Sequence, residues 1–323
     1  MASTLLDVRN LQIAFPTRRG TLIAVDDLSF DIAPGEVLGV VGESGAGKSL
    51  TGMAIIGLLD PPGRIAAGEI RLEGARIDNL PAEAMRRIRG KRIGAIFQDP
   101  LTSLNPLFTI GEQLVETILA HRDLGRTQAR SRALELLAEV GIPAPEIRID
   151  HYPHQFSGGM RQRVVIALAL SARPRLIVAD EPTTALDVSV QAQIIALLKK
   201  LAREHGAAVM LITHDMGVIA EAADRVAVMY AGRLAEIGAV KEVIHAPRHP
   251  YTSGLMRSIP KFGEGRERLA QINGAMPRLN AVPPGCAFNP RCPERFGRCT
   301  RERPALLPAG DNLAACWLYE PKS

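Results

Sequence analysis

The chain has 323 residues, of which 46% are hydrophobic, 23% charged and 4% aromatic. This composition is typical of a globular protein and excludes a disordered, collagen-like or coiled-coil chain, and the length suggests about two domains. No apolar run approaches the roughly 18 residues of a membrane span, and no basic region followed by an apolar core opens the sequence. We therefore expect an intracellular protein or one face of a membrane complex.

The excess positive charge lies in the C-terminal part of the chain. The net charge is +5, and residues 246–323 hold 12 Lys and Arg against 6 Asp and Glu, whereas the other 245 residues hold 27 against 28. All four cysteines and the only tryptophan, Trp317, also lie after residue 245. Such a compositional break predicts a domain boundary. We therefore assign residues 1–245 to one domain and residues 246–323 to a C-terminal extension.

The first 245 residues alternate strand and helix patterns. Alternating or β-branched patterns predict antiparallel strands at residues 5–15, 21–32 and 68–77. Short, continuously apolar runs predict strands buried on both faces, as in a parallel sheet, at residues 37–41, 176–179, 208–212 and 226–230. Helical patterns occupy residues 111–121, 127–140, 163–172 and 190–201. This repetition predicts a layered α/β fold, and the scarcity of strand patterns between about 100 and 165 predicts a helical insertion.

A glycine-rich segment follows the first apolar run. The residues from Gly42 to Ser49 match G-x-x-x-x-G-K-[ST], with a predicted strand before them and a helical run after them. Glycines let backbone N–H groups converge on a phosphate, and the helix N-terminus adds partial positive charge. Lys48 would neutralise the β- and γ-phosphates, and the Ser49 hydroxyl would ligate Mg²⁺. The alternative is an ordinary glycine-rich turn. The predicted phosphate-binding residues are Gly42, Glu43, Ser44, Gly45, Ala46, Gly47, Lys48, Ser49 and Leu50.

Two acids, Asp180 and Glu181, end the apolar run at 176–179. The carboxyl edge of a parallel sheet is where α/β proteins bind ligands. Asp180 would hold Mg²⁺ through its water shell, and Glu181 would polarise the attacking water. The alternative is an ordinary acidic pair at a helix start.

A second candidate anion site opens a later helical pattern. Ser157, Gly158 and Gly159 stand at the start of that pattern, where their backbone N–H groups can bind phosphate. One molecule that closes on one nucleotide would not need two such devices, whereas a head-to-tail pair of molecules would use both. The alternative is simple helix capping.

Together with Gln98, Ala185-Leu186-Asp187 and His214, these motifs occur in the order of an ABC transporter ATPase subunit, which residues 5 to about 245 resemble. The resemblance implies a P-loop NTPase fold with an antiparallel β flap, a RecA-like core and a helical insertion. It implies ATP and Mg²⁺ as cofactors, with Gln98 contacting Mg²⁺ and the lytic water, His214 sensing the γ-phosphate and Phe15 stacking on adenine. The implied catalytic residues are Glu181, His214, Gln98 and Lys48. The implied nucleotide contacts outside the glycine-rich segment are Phe15, Gln98, Asp180, Ser157, Gly158, Gly159 and Asp187.

Three further segments narrow the resemblance to the ATPases of dipeptide, oligopeptide and nickel importers, and to the first of their two ATPase subunits. These segments are residues 97–106, 249–255 and 283–293. The resemblance implies a second homologous ATPase subunit, two transmembrane permease subunits and an extracytoplasmic solute-binding protein. The chain would then be peripheral on the cytoplasmic face of the inner membrane and power the import of dipeptides or oligopeptides. A nickel or other small-solute importer remains an alternative. So does a soluble ABC-type ATPase that acts on nucleic acid, although we expect no nucleic-acid partner.

The cysteines of the extension have the spacing C-x5-C-x6-C-x16-C, at Cys286, Cys292, Cys299 and Cys316. Disulfides are a poor default without a secretion signal, and zinc sites usually have tighter cysteine pairs. Four cysteines suit an iron–sulfur cluster, and some members of the peptide-importer family that resemble this extension carry a [4Fe–4S] cluster there. We therefore expect such a cluster, with zinc or no metal as alternatives. We interpret the interleaved arginines as a solvated face that balances its charge, in preference to a surface that contacts anionic lipids or the partner subunit. They are Arg291, Arg295, Arg298, Arg301 and Arg303.

Overall fold

The computed structural model describes residues 4–184, 186–258 and 271–320. Ala185, part of one motif of the resemblance, lies outside the described residues. The strands are β1 (Leu6–Thr17), β2 (Gly20–Ile32), β3 (Val37–Val41), β4 (Arg64–Leu72), β5 (Ala75–Arg76), β6 (Ile93–Ile96), β7 (Leu176–Asp180), β8 (Ala208–Ile212), β9 (Arg225–Tyr230), β10 (Arg233–Ala239), β11 (Leu307–Ala309) and β12 (Asn312–Ala314).

The helices are α1 (Lys48–Ile56), α2 (Ala82–Ile88), α3 (Pro100–Ser103), α4 (Ile110–His121), α5 (Arg126–Glu139), α6 (Pro145–Arg148), α7 (Gly158–Leu170), α8 (Val188–His205), α9 (Met216–Ala222), α10 (Val240–His245) and α11 (Pro250–Arg257). Short 3-10 turns lie at Pro153–Gln155, Asn289–Arg291, Gly297–Thr300 and Trp317–Tyr319. None of the helices in the described ranges combines the length and apolarity that a membrane span requires.

The first of two compact units holds the described residues through Leu6, Ile32–Val37 and Asn79–Leu211. Its strands follow the order β8-β7-β6, and β6 pairs with β7 in parallel. Every residue of β8 is buried, as is all of β7 except its last residue, Asp180. Burial on both faces explains why these strands are continuously apolar in sequence. The strand β7 therefore delivers its first polar residue at its carboxyl end.

Helices α4, α5 and α7 pack against one another in the same unit. The helix α4 begins with a capping box, in which the Thr109 hydroxyl accepts from the Glu112 N–H and the Glu112 carboxylate accepts from the Thr109 N–H. Their buried residues recur at helical spacing, with Leu114 and Ile118 in α4 and Ala133 and Leu137 in α5. No strand lies between α3 and α7, a stretch that the structure describes throughout.

The second unit holds Asp7–Asp31, Leu38–Asp78 and the described residues from Ile212 onward. One sheet has the order β2-β1-β4-β5, and a second series of strands has the order β11-β12-β10-β9-β3. The strands β3 and β9 pair in parallel, whereas β9, β10, β12 and β11 pair antiparallel in turn. Because β12 belongs to the extension and hydrogen-bonds to β10, part of the extension is a continuation of that sheet.

Candidate nucleotide-binding site

The glycine-rich segment lies between β3 and α1 in the second unit. Gly42 has a φ of 154°, and a Cβ there would lie 2.3 Å from the carbonyl oxygen of Met229. Gly47, the N-cap of α1, has a φ of 98° and no side-chain cap. Only glycine combines this backbone with so close an approach. Ser44, Gly45 and Ser49 are exposed, so the loop and the first turn of α1 present polar groups to solvent, as an anion site requires.

Lys48 is the first residue of α1, and its side chain crosses back over the loop. Only 6% of the residue is exposed. Its Nζ donates to the carbonyl oxygen of Gly42 at 2.8 Å and to that of Glu43 at 3.2 Å. The ammonium group is therefore held beside the glycine turn, where it can meet a phosphate. Ala46 is buried within the loop, and Leu50 is half-buried in the first turn.

Two further candidates belong to the second unit. Phe15 is half-buried in β1, and its ring lies so close to Gly63 that a Cβ there would be 2.6 Å from Phe15 Cε1. His214 is exposed just after β8. The next residue, Asp215, caps α9 by accepting from the Gly217 N–H at 2.8 Å.

The carboxyl end of β7 brings together three candidates of the first unit. Asp180 is half-buried there, and Gln98 Nε2 lies 3.4 Å from Glu181 Oε2. Thr184 Oγ1 donates to the same carboxylate oxygen at 2.6 Å. Glu181 has a φ of 46°, a left-handed backbone that costs a non-glycine residue about 1–2 kcal/mol.

Ser157 and Asp187 both cap helices of the first unit. Ser157 is exposed and accepts from the Met160 N–H at 3.3 Å at the start of α7, with Gly158 and Gly159 in the first turn. Asp187 accepts from the Val190 N–H at 3.0 Å at the start of α8, and this bond, with one from the Ser189 hydroxyl, lowers the pKa of Asp187. The capping that the sequence offered as the simpler interpretation of Ser157 is therefore present.

The four cysteines, none of which is in a disulfide, line one cavity of about 20 Å³ in the second unit. Burial raises the pKa of Cys286 to about 11, so the thiol is protonated at neutral pH in the absence of a metal. Within residues 4–184, 186–258 and 271–320, no group of three or more His, Cys, Asp or Glu side chains is arranged to hold a metal ion.

The prediction that the arginines of the extension form a solvated face is wrong for Arg291, whose side chain is 7% exposed. Its guanidinium pairs with Glu43 of the glycine-rich loop, and the Glu43 N–H donates to the hydroxyl of Tyr251. Neither Arg291 nor Tyr251 is predicted by the sequence to belong to this site. Arginine is almost never buried without a partner, but nothing in the sequence marks which arginine of the five is buried.

Comparison with known proteins identifies the family of the chain. Residues 25–184 match the family model described as ABC transporter, and residues 235–299 match that of the oligopeptide/dipeptide transporter C-terminal region. The chain is 47% identical over 312 residues to the dipeptide transport ATP-binding protein DppD of Haemophilus influenzae, covering 97% of this chain and 94% of that protein. It is 47% identical over 320 residues to the oligopeptide transport ATP-binding protein OppD of Bacillus subtilis, covering 98% and 89%.

Two solved structures have the same fold. One is the dimeric, post-hydrolysis structure of the ATP-binding cassette MJ0796 bound to ADP and Pi, with a TM-score of 0.66, 30% identity and coverage of 73% of this chain and 99% of that one. The other is cbiO1 from Clostridium perfringens, part of an ABC transporter complex, with a TM-score of 0.66, 28% identity and coverage of 76% and 92%.

Proposed function

The chain belongs to the family of ABC transporter ATP-binding subunits, ATPases that couple hydrolysis to transport, and we propose that this one powers the import of dipeptides or oligopeptides. Support for the peptide class comes from the match over residues 235–299 and from relatives, named for dipeptide or oligopeptide transport, that the chain matches over nearly its whole length. A nickel or other solute stays an alternative that only a transport measurement excludes.

The observation that carries the proposal is the loop between β3 and α1. Its exposed residues, its glycine backbone and the ammonium group of Lys48 fit a triphosphate, and the exposed Ser49 hydroxyl fits Mg²⁺. Bound Mg²⁺ would supply charge neutralisation of the transferred phosphoryl group. Lys48 would hold the β- and γ-phosphates, and Asp180 would hold the water shell of the metal.

Glu181 is proposed as the group that orients the attacking water and accepts its proton. The hydroxyl of Thr184 and the amide of Gln98, both within hydrogen-bond distance of Glu181 Oε2, would fix the carboxylate for that role. His214 is proposed as the γ-phosphate sensor and Phe15 as the adenine contact. Ser157, Gly158 and Gly159 are proposed to contact the nucleotide of a second, homologous ATPase subunit, and Asp187 is proposed as a further nucleotide contact.

We propose the organisation and partners that follow from this role. Residues 1–245 form the ATPase domain, residues about 100–165 form its helical insertion, and residues 246–323 form the extension. Two permease subunits and an extracytoplasmic solute-binding protein complete the transporter. The chain would lie at the cytoplasmic face of the inner membrane.

We further propose that the extension holds a [4Fe–4S] cluster. The donor set is the support, because four thiols that line one cavity are the ligands such a cluster uses. Binding would require the cysteine side chains to change arrangement, since none in the described ranges has metal-holding geometry. About four iron and four acid-labile sulfide per chain are expected in anaerobically purified protein. Zinc, or neither element, contradicts the cluster.

The ATPase role is tested by Glu181→Gln in the full chain. Turnover should fall by about 10²–10⁴-fold because the general base is lost, whereas ATP affinity should be retained because Glu181 is proposed to act on the water. The matched control is Glu116→Gln, which changes an exposed acid on α4. Turnover within about threefold of wild type would refute the role of Glu181.

The transported solute is tested separately. The chain, its neighbouring permease and ATPase subunits and the solute-binding protein are reconstituted in proteoliposomes and supplied with labelled dipeptide, pentapeptide or Ni²⁺. ATP-dependent peptide uptake supports the proposal, and uptake of Ni²⁺ alone contradicts it. Stimulation of the isolated ATPase by RNA or DNA would instead favour the soluble alternative.

A further inference from the structure

A residue of the extension contacts the phosphate loop directly. Arg291 closes the 3-10 turn Asn289–Arg291 and precedes Cys292. Its Nη1 lies 3.0 Å from both carboxylate oxygens of Glu43, the second residue of the loop. The Arg291 side chain is 7% exposed and that of Glu43 is 28% exposed. Because the arginine is almost completely buried, water and salt screen the attraction between the two charges only weakly.

The guanidinium of Arg291 is held from several directions. Its Nε donates to the carbonyl oxygen of Asn273 at 2.9 Å, and its Nη2 donates to that of Ile272 at 3.3 Å. The ring centroids of Tyr230 and Phe288 lie 5.8 and 5.9 Å from the guanidinium carbon, within the range of cation–π attraction. These contacts fix the position of the positive charge beside Glu43.

Glu43 is held at its backbone as well. Its N–H donates to the Tyr251 hydroxyl at 2.9 Å, and its carbonyl oxygen accepts from Lys48 Nζ at 3.2 Å. Tyr251 is fully buried in α11. Arg291 and Tyr251, which both belong to the extension, therefore restrain Glu43. The negative side chain of Glu43 lies next to the proposed phosphate site.

We propose that Arg291 is a positioning residue for ATP, which acts by pairing with Glu43, and that the extension is thereby part of the nucleotide site; this rests on the proposed binding of ATP at the loop. An unpaired Glu43 carboxylate would repel a triphosphate and would be free to leave its place. Pairing removes the repulsion and fixes the side chain. Arg291 does not touch the reacting atoms, so ATP affinity depends on it and the chemical step does not.

The test measures ATP affinity and turnover of the full chain at low salt. Arg291→Met should weaken ATP binding by roughly tenfold, because the unpaired Glu43 carboxylate would then repel the negative triphosphate at a site shielded from solvent. Turnover at saturating ATP should stay within about twofold of wild type. The double variant Arg291→Met with Glu43→Gln removes both charges and should recover at least threefold of the ATP affinity that Arg291→Met loses. An anchor that acts through the hydrogen bonds of Arg291 to Asn273 and Ile272 would give no such rescue, because the double variant lacks those bonds as well. The matched control, Arg295→Met, removes an exposed arginine of the same extension and should change neither quantity.

Two results would overturn the proposal: Arg291→Met that binds ATP within twofold of wild type, or a double variant as weak as the single one. Trp317 reports whether the extension stays folded, because it is the only tryptophan and its indole donates to the Glu302 carbonyl oxygen. If Arg291→Met shifts Trp317 emission to the red, the extension has unfolded, and Arg291→Lys is then used in place of Arg291→Met. That variant keeps the charge and should bind ATP within about threefold of wild type, and a tenfold loss in the folded Lys variant contradicts the charge-pairing role.

The same experiment includes Lys48→Ala, which separates the inference from the proposed function. Loss of ATP binding in Lys48→Ala with no effect of Arg291→Met refutes the role of Arg291 and leaves the loop assignment standing. Unchanged ATP binding in Lys48→Ala refutes the loop assignment itself.

Discussion

Replacement of a single buried histidine should remove a defined part of the protein's sensitivity to acid. His249 caps α11, where its Nδ1 accepts from the Tyr251 N–H at 3.0 Å. Burial lowers the pKa of His249 to about 4, against about 6.5 in an unfolded chain. Between these values the unfolded state binds a proton that the folded state does not, so stability is lost as the pH falls. The affected window runs from about pH 6.5 to about pH 4.

The pKa difference sets the size of this effect. Integration of the proton linkage from pH 7.5 to pH 5 gives a loss of about 2 kcal/mol in the free energy of unfolding from His249 alone. His249→Asn keeps an acceptor near the position of Nδ1 but has no group that titrates in this range. The variant should be less stable at pH 7.5, because it loses a buried ring, yet its acid-induced loss should be smaller than that of wild type by about 2 kcal/mol.

Urea unfolding followed by Trp317 emission at several pH values between 7.5 and 5 measures this difference. Trp317 belongs to the same compact unit as His249, so the fluorescence follows the part of the chain that carries the perturbation. The matched control is His245→Asn, which removes an exposed imidazole of the same compact unit. An acid-induced loss in His249→Asn equal to that of wild type would refute the reasoning.

Two further substitutions test contacts of the structure. Thr184→Val removes the hydroxyl that donates to Glu181 Oε2 at 2.6 Å. Turnover should fall by about 10- to 100-fold with unchanged ATP affinity, since one hydrogen bond to a charged group contributes about 1.5–3 kcal/mol. Steady-state kinetics that show unchanged turnover would contradict this. Glu236→Gln alters a fully buried carboxylate that accepts from two backbone N–H groups and from Asn312 Nδ2. The substitution should lower the free energy of unfolding by about 2–4 kcal/mol, because an amide cannot accept at both positions. Equal urea midpoints of the variant and the wild type would exclude this role.

The sequence predicts the central strands well because burial on both faces leaves a direct signature. The apolar runs at 37–41 and 208–212 are β3 and β8 with unchanged bounds, and the run at 176–179 is β7 extended by Asp180. The start of a helix can be predicted equally well where a side chain caps it, as Asp187 caps α8. The ABC ATPase fold follows from these elements and from the order of the motifs.

The strands of the extension could not be predicted, and the reason is physical. β11 and β12 have three residues each, too few for an alternation of apolar and polar residues to be recognised. Their pairing depends on β10, about 75 residues earlier, with Glu236 opposite Ala314. A tertiary contact of this kind decides the conformation where local propensity is weak.

The same limit explains why the sequence gives the wrong environment for Arg291. Composition favours exposure, because a run with five arginines within 13 residues is usually solvated. The Arg291 guanidinium can be buried only because the fold brings partners to it from distant parts of the chain. These partners are Glu43, 248 positions away, and the ring of Tyr230. A buried arginine that loses its carboxylate leaves an uncompensated charge. The loop and the extension must therefore both be in place for either charge to be paired. Motif recognition finds the loop from its own eight residues, but the conformation of Glu43 within it depends on residues of the extension that no motif of the loop includes.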